Sequence, residues 1–482
     1  MPDTRSFDLV IIGGGPAGYV GAIRAAQLGL NVACVEREAL GGVCLNWGCI
    51  PTKALLATAE FYHRLSHDRD AWGVTADNVG YDWTKVIQRS RTVSGNLNKG
   101  VAGLFKKHKI THVQGHAKIT AGRQGDKPCQ IEIHDQPGHV AERLEAKNIL
   151  IATGAQPRPL PGVDFDGDKI IAARQAMVLP ERPAKLLIIG AGAIGMEFAY
   201  FYNAFGTEVT VVEMLDRLLP IEDDEVSKAV ARSFRKAGVN VFTSHKTTQV
   251  EKTANGVKAT IVSVDDESKS QTIEADKVLV AIGVMGRYDG LFDKSLGLEE
   301  FKSHIKADKS TYATSVAGVY AVGDVIGPPW LAHVASEEAV VCVERLAGHH
   351  PAGVNYDAIP GCTYCQPQVA SVGQTERALK EAGLKAGEDY VVGKFPFTAS
   401  GKAQAAGHTD GFVKILSDAQ YGEILGVHMV GDNVTELIAE MGLAIASELT
   451  IDEVIHTIHA HPTLAEATHE AALGVAGRMI HF

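Results

Sequence analysis

The sequence contains no apolar run of membrane-spanning length and only seven cysteines among 482 residues. So few cysteines in so long a chain do not form the disulfide framework of a secreted protein, and we expect a reducing cytoplasm. Basic side chains are also scarce, since 46 Lys and Arg residues face 57 Asp and Glu residues and the net charge is −11. This balance argues against nucleic acid as a main partner. The first residues pass directly into a predicted strand, which leaves no room for a signal or transit peptide.

The length of the chain bounds the number of domains. A chain of 482 residues is too long for a single hydrophobic core, so two to four domains are expected. Hydrophobic residues make up 45% of the sequence and charged residues 21%, as in ordinary soluble proteins. We therefore expect a folded, multidomain protein.

The segment GGVCLNWGCIPTK, residues 41–53, is the most distinctive in the sequence. It places Cys44 and Cys49 with four residues between them, and Pro51 follows in the predicted first turn of a helix. A helix N-terminus favours a thiolate over a thiol, and a thiolate that faces a second cysteine can take part in disulfide exchange. The alternative is two buried structural cysteines, which the glycine pair and the Pro51–Lys53 exit make less favoured.

A glycine fingerprint lies near the N-terminus. Gly13, Gly15 and Gly18 fit the pattern G-x-G-x-x-G, between a predicted strand over residues 7–12 and a predicted helix. The missing side chains let the backbone approach a pyrophosphate, whose charge the helix N-terminus stabilises. Glu36 ends the next predicted strand, 23 residues after Gly13, where a carboxylate can bind ribose hydroxyls. Together these features predict a dinucleotide site.

The same pattern returns in the middle of the chain. Gly190, Gly192 and Gly195 follow a predicted strand, and Glu213 ends the next strand, again 23 residues after the first glycine. This internal repeat predicts two dinucleotide domains and hence two cofactors. A carboxylate at Glu213 would hydrogen-bond a free 2′-hydroxyl and repel a 2′-phosphate, which favours NAD over NADP. The alternative is an ordinary acidic residue at the end of a strand.

Three further apolar strands end in residues that suit a cofactor. The first closes on Thr153 and Gly154 and is expected to return to the first dinucleotide domain. The proline-rich residues 157–161 then predict a linker. The second strand closes on Gly283, within the second domain. The third ends at Asp324, which is either a turn residue or a carboxylate that meets a cofactor hydroxyl.

From residue 356 onward, predicted strands and helices alternate. Cys362 and Cys365 have a C-x-x-C spacing, but they lie in a strand-like run, which places their sulfurs on opposite faces. Structural cysteines are therefore favoured over a metal or redox pair. No metal site is predicted.

The segment HAHPTLAE, residues 459–466, precedes a predicted helix. Thr463 and Glu466 fit a capping box, which is the favoured interpretation on these residues alone. In the alternative, Glu466 accepts a hydrogen bond from one nitrogen of His461 and makes this histidine a stronger base. A cis peptide bond before Pro462 is also expected, because X-Pro is where cis bonds occur.

Five motifs resemble, in the same order, those of the flavin-dependent pyridine nucleotide–disulfide oxidoreductases: GGGPAG, GGVCLNWGCIPTK, GAGAIGMEFA, VYAVGD and HAHPTLAE. The resemblance covers essentially the whole chain, and the cysteine and histidine segments are its most specific parts. It implies an α/β fold with two Rossmann-like dinucleotide-binding domains, for FAD and NAD, and a C-terminal α+β dimerisation domain. The implied boundaries are residues 1–155 and 285–355 for the FAD-binding domain, 156–284 for the NAD-binding domain and 356–482 for the dimerisation domain.

Within this family, the chain most resembles the members that oxidise protein-bound dihydrolipoamide with NAD⁺. The resemblance implies that Cys49 is the thiolate next to the flavin and that Cys44 exchanges with the substrate sulfurs. Lys53 would pair with Glu197 beside the flavin ring and tune its reactivity.

The resemblance also implies a homodimer with one FAD per subunit. His461, oriented by Glu466, would be the acid–base group for the substrate thiols and would serve the active site of the partner subunit. The expected partners are the lipoyl domains and acyltransferase core of a 2-oxo acid dehydrogenase complex, or the lipoyl protein of a glycine cleavage system. Neither nucleic acid nor a membrane is an expected partner.

The sequence departs from the family pattern at one place, and it argues against three rival functions. Residues 284–287 read VMGR where many relatives carry Arg and Pro, which bears on the nicotinamide-nucleotide contacts but not on the disulfide chemistry. A glutathione-type reductase would need basic residues where residues 213–216 read EMLD, and a mercuric-type reductase would end in a cysteine pair rather than GRMIHF. A non-catalytic flavoprotein subunit is disfavoured because Cys44, Cys49 and His461 are all retained.

Overall fold

The computed structural model describes residues 4–482. These residues form two compact units, each built from separate segments of the chain. The first unit contains the described residues up to Leu55, together with Thr84–Arg158 and Gly283–Val354. The second contains Leu56–Trp83, Pro159–Ile282 and Asn355–Phe482.

Strands and helices alternate along the described residues. The strands are β1 Thr4–Ile12, β2 Val32–Glu36, β3 Thr111–Gln114, β4 His116–Ala121, β5 Cys129–Gln136, β6 His139–Ile151, β7 Ala155–Pro157, β8 Ile170–Ile171, β9 Lys185–Ile189, β10 Glu208–Val212, β11 Asn240–Phe242, β12 His245–Lys252, β13 Val257–Ser263, β14 Ser270–Ala275, β15 Lys277–Val280, β16 Val284–Gly286, β17 Glu300–Phe301, β18 His304–Ile305, β19 Val319–Ala321, β20 Gly361–Thr363, β21 Gln368–Gly373, β22 Tyr390–Pro396, β23 Phe412–Asp418 and β24 Ile424–Gly431. The helices are α1 Pro16–Gln27, α2 Gly42–Trp47, α3 Cys49–His63, α4 Trp83–Lys107, α5 Ala173–Ala176, α6 Ala193–Ala204, α7 Asp224–Lys236, α8 Ala332–Leu346, α9 Glu376–Glu381, α10 Gly401–Ala406, α11 Val434–Ala446, α12 Ile451–His456 and α13 Glu466–Val475.

The first unit is organised around a sheet of seven strands in the order β3-β2-β1-β6-β5-β4, with β19 beside β6. Strands β3, β2, β1, β6 and β19 are parallel, whereas β5 and β4 are antiparallel to their neighbours. Strand β1 explains the layering, because its side chains alternate between two cores. Leu9 and Ile11 pack into one core, whereas Val10 and Ile12 pack into the other. A strand buried on both faces has the continuous apolar sequence that this one shows.

The second unit contains three sheets. The first is fully parallel, in the order β11-β10-β9-β15-β8, and β12-β13-β14 form an antiparallel sheet. The third is antiparallel, in the order β20-β21-β24-β23-β22. Its apolar face packs in one core with α11 and α13, through residues such as Val413, Ile415, Met441 and Ala471. These arrangements agree with the predicted α/β class and with the α+β character predicted for the C-terminal region.

The proline-rich segment after β6 differs from its prediction as a linker. Residues 155–157 form β7, which pairs antiparallel with β16, and Pro157 lies opposite Val284. Proline is tolerated at the edge of such a two-stranded ribbon, where its missing N–H costs no ladder hydrogen bond. The departure from the family pattern at residues 284–286 therefore falls in a paired strand.

Two findings bear on membrane and metal binding. Within residues 4–482, no helix is both long enough and apolar enough to span a bilayer. In the same residues, no cluster of three or more His, Cys, Asp or Glu side chains has an arrangement that could hold a metal ion.

A buried charge network lies on the other face of the C-terminal sheet. Lys414 alternates with the core residues of β23, so its side chain points to the opposite face, and it is fully buried. Its Nζ lies 3.0 Å from Asp223 Oδ1, 3.1 Å from Glu225 Oε1 and 2.7 Å from Glu376 Oε2. Burial alone would lower the pKa of Lys414, but these carboxylates hold it above its ordinary value. Truncating this lysine would leave the buried Asp223 carboxylate without its ion-pair partner, whereas Glu225 and Glu376 would keep Lys394 and Lys380.

Glu222 lies beside this network but has no cation of its own. Burial, only partly offset by a hydrogen bond from Ser371, raises the pKa of Glu222 from 4.5 to about 7, and the Asp223 carboxylate adds to the rise. Its Oε2 atom has no hydrogen-bond partner among the described residues. Because the pKa is higher in the folded chain, the neutral carboxyl stabilises the fold below about pH 4.5, and this stability is lost as the pH rises through about 7.

Replacing Glu222 with glutamine is therefore expected to raise the thermal midpoint at about pH 8 and to change it little at about pH 5. The difference of about 2.5 between the two pKa values corresponds to about 3 kcal/mol. Glu225→Gln is the matched control with the opposite sign. Burial would raise the pKa of Glu225, but Lys394 and Lys414 hold it below its ordinary value, so this variant should lose stability at pH 8. Equal midpoints for wild type and Glu222→Gln at pH 8 would contradict the role given to burial.

Candidate active site

Cys44 and Cys49 lie at the junction of two helices in the first unit. Cys44 is in α2, and α3 begins at Cys49, as predicted. No disulfide bond joins any cysteines within residues 4–482. The hydrogen bond to Cys49, burial and the negative charge at Cys49 all raise the pKa of the Cys44 thiol, and the Lys53 ammonium only partly offsets them. Cys44 therefore holds its proton more firmly than an ordinary thiol does.

Helix α4 holds this cysteine segment in place. The guanidinium of Arg91 donates to the carbonyl oxygen of Asn46 at 2.6 Å and lies 4.8 Å from the centroid of the Trp47 ring. Asn98 Nδ2 donates to the carbonyl oxygen of Leu40 at 2.5 Å. No spacing in the sequence links these residues to the cysteines, so sequence reasoning missed them.

Tyr19 is a third residue that sequence reasoning missed. Burial raises the pKa of its hydroxyl, and the negative charges of Cys44 and Cys49 raise it further. The hydroxyl therefore lies within electrostatic range of both cysteines. Tyr19 follows the first glycine fingerprint in α1, where only the glycines drew attention.

The first fingerprint leaves room for a ligand at its second glycine. A Cβ atom at Gly18 would lie 1.8 Å from the carbonyl oxygen of Gly13, and one at Gly13 would lie 2.3 Å from that of Ala152. At Gly15, in contrast, the nearest described atom would be 3.8 Å away. Packing of the chain therefore excludes side chains at the first and third glycines, and the second leaves the helix N-terminus open to an approaching phosphate.

The carboxyl ends of four parallel strands, β1, β2, β6 and β19, lie at one edge of the first sheet. Glu36 at the end of β2 accepts from Gly14 N at 2.7 Å. Thr153, just after β6, has a buried hydroxyl with no partner among the described residues. Burial and the Glu338 carboxylate raise the pKa of Asp324, after β19, from 3.8 to about 6. These polar groups at one sheet edge, among them the unpartnered Thr153 hydroxyl, fit the hydroxyl-rich FAD molecule.

The second fingerprint repeats this geometry in the second unit. A Cβ at Gly190 would lie 2.4 Å from the carbonyl oxygen of Ala281, and one at Gly195 would lie 2.0 Å from that of Gly190. At Gly192 no described atom lies within 4 Å. Glu213 accepts a hydrogen bond from Ala191 N at 2.7 Å and another from the loop that follows β10. Glu36 accepts a corresponding hydrogen bond from the loop that follows β2 in the first repeat. This arrangement fits the adenosine half of NAD.

Two further glycines of the predicted cofactor sites adopt backbone conformations that side chains disfavour. Gly154 has φ +73° and Gly283 has φ +108°, both in the left-handed region. No described atom lies within 4 Å of a Cβ built at either position. A side chain there would be excluded by backbone strain and not by a clash.

His461 and Glu466 contact each other in the second unit. The Nδ1 atom of His461 donates to Glu466 Oε1 at 2.8 Å, which leaves Nε2 as the atom for proton exchange. Glu466 Oε2 accepts from Thr463 N at 2.8 Å. The predicted capping box is wrong, because α13 begins only at Glu466 and the Thr463 hydroxyl donates to the carbonyl oxygen of Ala460 instead. The peptide bond before Pro462 is cis, as expected.

The structure also places Glu197, Cys362 and Cys365. Glu197 is a buried residue of α6, and its Oε1 accepts from Tyr364 N at 3.0 Å. Only Cys362 lies in a strand, because β20 ends at residue 363 and Cys365 is buried in the bend that follows. The sequence interpretation that put both cysteines in one strand is therefore wrong. The pairing of Lys53 with Glu197 stays a prediction.

Comparison with known proteins adds the family. Residues 7–339 match the family described as "Pyridine nucleotide-disulphide oxidoreductase", and residues 359–472 match its dimerisation domain. The chain belongs to this family. As a member, it is an oxidoreductase that uses FAD and NAD, so the predicted enzyme class and both cofactors are confirmed. The C-terminal region is the dimerisation domain, which supports a homodimer.

Individual relatives are similar over their full length. The chain is 46% identical to the dihydrolipoyl dehydrogenase of Rhizobium etli, across 99% of both chains. It is 42% identical to the mitochondrial dihydrolipoyl dehydrogenase of Pisum sativum, across 98% of this chain and 92% of that protein. Among solved structures, LpdA of Mycobacterium tuberculosis superposes with a TM-score of 0.87 at 25% identity, covering 97% of this chain and 99% of that one.

Proposed function

We propose that this chain oxidises protein-bound dihydrolipoyl groups with NAD⁺, through a redox disulfide between Cys44 and Cys49. The observation that carries the proposal is the position of the cysteine pair, with Cys44 in α2 and Cys49 as the first residue of α3. The nature of the dithiol substrate is supported by the full-length relatives that are named dihydrolipoyl dehydrogenases.

The residues of the chain account for the thiol chemistry. Nε2 of His461 accepts the proton of one substrate thiol, and Glu466 stabilises the resulting imidazolium. The substrate thiolate attacks Cys44, the Cys44–Cys49 bond breaks, and Cys49 leaves as a thiolate. The second substrate sulfur then attacks the substrate sulfur bound to Cys44 and closes the substrate disulfide, and its proton passes to the departing Cys44 sulfur. Two electrons thereby pass from the substrate to the enzyme dithiol.

The cofactors complete the electron path. When bound, FAD would supply the two-electron redox chemistry that connects the reduced cysteine pair with NAD⁺. The residues proposed to hold FAD are Gly13, Gly15, Gly18, Glu36, Lys53, Thr153, Gly154 and Asp324. The residues proposed to hold NAD are Gly190, Gly192, Gly195, Glu213 and Gly283. Glu197 is proposed to pair with Lys53 and to tune the reactivity of the flavin.

The wider setting follows from the same proposal. We propose that the homodimer works in the cytoplasm with the lipoyl domains and acyltransferase core of a 2-oxo acid dehydrogenase complex, or with the lipoyl protein of a glycine cleavage system. The FAD-binding, NAD-binding and dimerisation domains are proposed to have the boundaries given above.

The direct test is an assay of the purified protein with dihydrolipoamide and NAD⁺. NADH should form at a rate typical of enzymes, on the order of 10 per second or faster. Oxidised glutathione with NADPH, and mercuric ion with NADPH, serve as the rival substrate pairs. Turnover of a rival pair, or no turnover of any pair by a protein that contains FAD, would overturn the proposal.

Coenzyme choice gives a further prediction. Glu213 should repel the 2′-phosphate of NADP⁺, so kcat/KM for NAD⁺ should exceed that for NADP⁺ at least about tenfold, which is about 1.4 kcal/mol. Glu213→Gln keeps the size of the side chain but removes its charge, so the preference for NAD⁺ should shrink. Activity with dihydrolipoamide at saturating NAD⁺ serves as the control. Equal use of both coenzymes by the wild type would contradict the role of this carboxylate.

A further inference from the structure

The segment between α12 and α13 carries a second histidine, which the proposed chemistry does not use. His459 precedes His461 by two residues, and both lie after the end of α12 and before the start of α13. The His461 side chain is 79% exposed, whereas that of His459 is only 7% exposed. The first histidine of this short sequence therefore points into the protein, and the second points to solvent.

The buried His459 ring is held from three helices. Because a carboxylate only accepts hydrogen bonds, Nε2 of His459 donates to Glu440 Oε1 of α11, at 2.7 Å. The other ring nitrogen, Nδ1, lies 3.0 Å from the carbonyl oxygen of Thr457, the residue that directly follows α12. The ring centroid lies 5.3 Å from that of His469 in α13. The ring is therefore contacted from α11, from α13 and from the end of α12.

The groups that hold the ring are themselves fixed. Helix α11 is anchored by the fully buried Met441, which packs in the core of the C-terminal sheet. Thr457 donates to the carbonyl oxygen of Glu453 through its main-chain nitrogen at 3.0 Å and through its hydroxyl at 2.7 Å. His469 Nε2 donates to the carbonyl oxygen of Ile455 at 3.1 Å. The His459 ring is thus attached to the core of the C-terminal region.

This anchor limits where His461 can lie. Only Ala460 separates the two histidines, so their Cα atoms are at most about 7 Å apart. On the other side, Glu466 Oε1 accepts from His461 Nδ1 at 2.8 Å and sets the orientation of the imidazole. His459 thus fixes the main chain that leads to His461, and Glu466 fixes the ring of His461 itself.

We propose that His459 is a positioning residue for the thiol step, which holds the segment that carries His461 through its hydrogen bond to Glu440. The inference rests on the proposed function, because it takes His461 as the base that accepts the substrate proton. A base must lie within hydrogen-bond reach of the proton that it removes. A displacement of about 1 Å can lower a rate about 10²-fold, so the anchor of this segment matters for the reaction.

Two alanine variants remove the two halves of the His459–Glu440 contact. His459→Ala and Glu440→Ala should each lower kcat/KM for dihydrolipoamide about 10- to 100-fold. Glu440→Gln keeps an oxygen that accepts from Nε2 and should restore most of the activity that Glu440→Ala loses. His456→Gln is the matched control, because His456 is an exposed histidine at the end of α12, and it should behave as wild type.

The oxidation of NADH by an artificial dye acceptor bypasses the substrate thiols and should be unchanged in all four variants. If His459→Ala does not assemble with FAD, Glu440→Ala carries the same test, since it leaves the histidine in place. A wild-type rate of dihydrolipoamide oxidation in either alanine variant would overturn the inference. An equal loss in the dye reaction would also overturn it, because it would show general damage to the fold.

A double variant tests whether His459 acts through His461. His461→Gln alone removes the base, so adding His459→Ala should cause no further loss of dihydrolipoamide oxidation. A second loss of similar size in the double variant would show that His459 acts elsewhere and would overturn the inference. A wild type that oxidises NADH with the dye but does not oxidise dihydrolipoamide would instead overturn the proposed function.

Discussion

Replacing Cys44 with serine is expected to reduce dihydrolipoamide oxidation at least about 10³-fold, about 4 kcal/mol of transition-state stabilisation. The substrate thiolate then has no disulfide to attack. The variant should also show a long-wavelength charge-transfer absorption band without any reductant. The reason is that Cys49, at the N-terminus of α3, stays a free sulfur whose negative charge is favoured beside the oxidised flavin. The absorption spectrum of the purified variant checks this directly.

Three controls test the assignment of the two sulfurs. Cys49→Ser should be equally inactive but should lack the band, because only Cys44 remains and it is not the sulfur proposed to lie next to the flavin. Cys362→Ser removes a partly buried cysteine elsewhere and should leave activity and spectrum unchanged. NADH oxidation by a dye should survive in all three variants. If the band appears in Cys49→Ser instead of Cys44→Ser, the roles of the two cysteines are reversed.

Local patterns allowed much of this site to be predicted. The start of α3 at Cys49 follows from Pro51, because proline is favoured in the first turn of a helix. The third glycine of each fingerprint follows from the clash that a side chain would make with the carbonyl oxygen of the first glycine of the same motif. In each case the cause lies within a few residues of sequence, so spacing alone reveals it.

Contacts between distant parts of the sequence could not be predicted. Arg91 and Asn98 hold the cysteine segment from about 50 residues away, and their positions on α4 carry no signal of this contact. Lys414 reads as an ordinary charged residue of a strand, yet it is fully buried among carboxylates. Only the fold brings these residues together, because the sequence period of a strand or helix does not specify what packs against its faces.

Glu466 shows how a correct pattern led to a wrong local structure. The Thr463–Glu466 spacing fits a capping box, and Glu466 does accept from the main-chain nitrogen of Thr463. The helix nevertheless begins at Glu466, three residues after Thr463. The other carboxylate oxygen of Glu466 accepts a hydrogen bond from His461. One carboxylate thus fixes the turn with one oxygen and orients the histidine with the other. Glu466 can therefore support the turn and orient His461 at the same time.

A mixed dimer of Cys49→Ser and His461→Gln is expected to recover about half of the wild-type activity per dimer, although each homodimer is nearly inactive. The family assignment places His461 in a dimerisation domain, and its side chain is 79% exposed in the single chain. We therefore expect His461 to serve the cysteine pair of the other subunit.

The mixed dimer separates a shared site from a site within one chain. If each site combines the cysteines of one subunit with His461 of the partner subunit, one site of the mixed dimer carries both lesions and the other carries neither. Purification through two different affinity tags isolates the mixed dimer, and gel filtration confirms its assembly. A mixed dimer of Cys49→Ser and Cys44→Ser is the matched control, which should stay inactive because each site then contains one damaged pair. If His461 served its own chain, every site of this mixed dimer would carry one lesion and the dimer would be inactive. An assembled but inactive Cys49→Ser/His461→Gln dimer would therefore contradict the shared site.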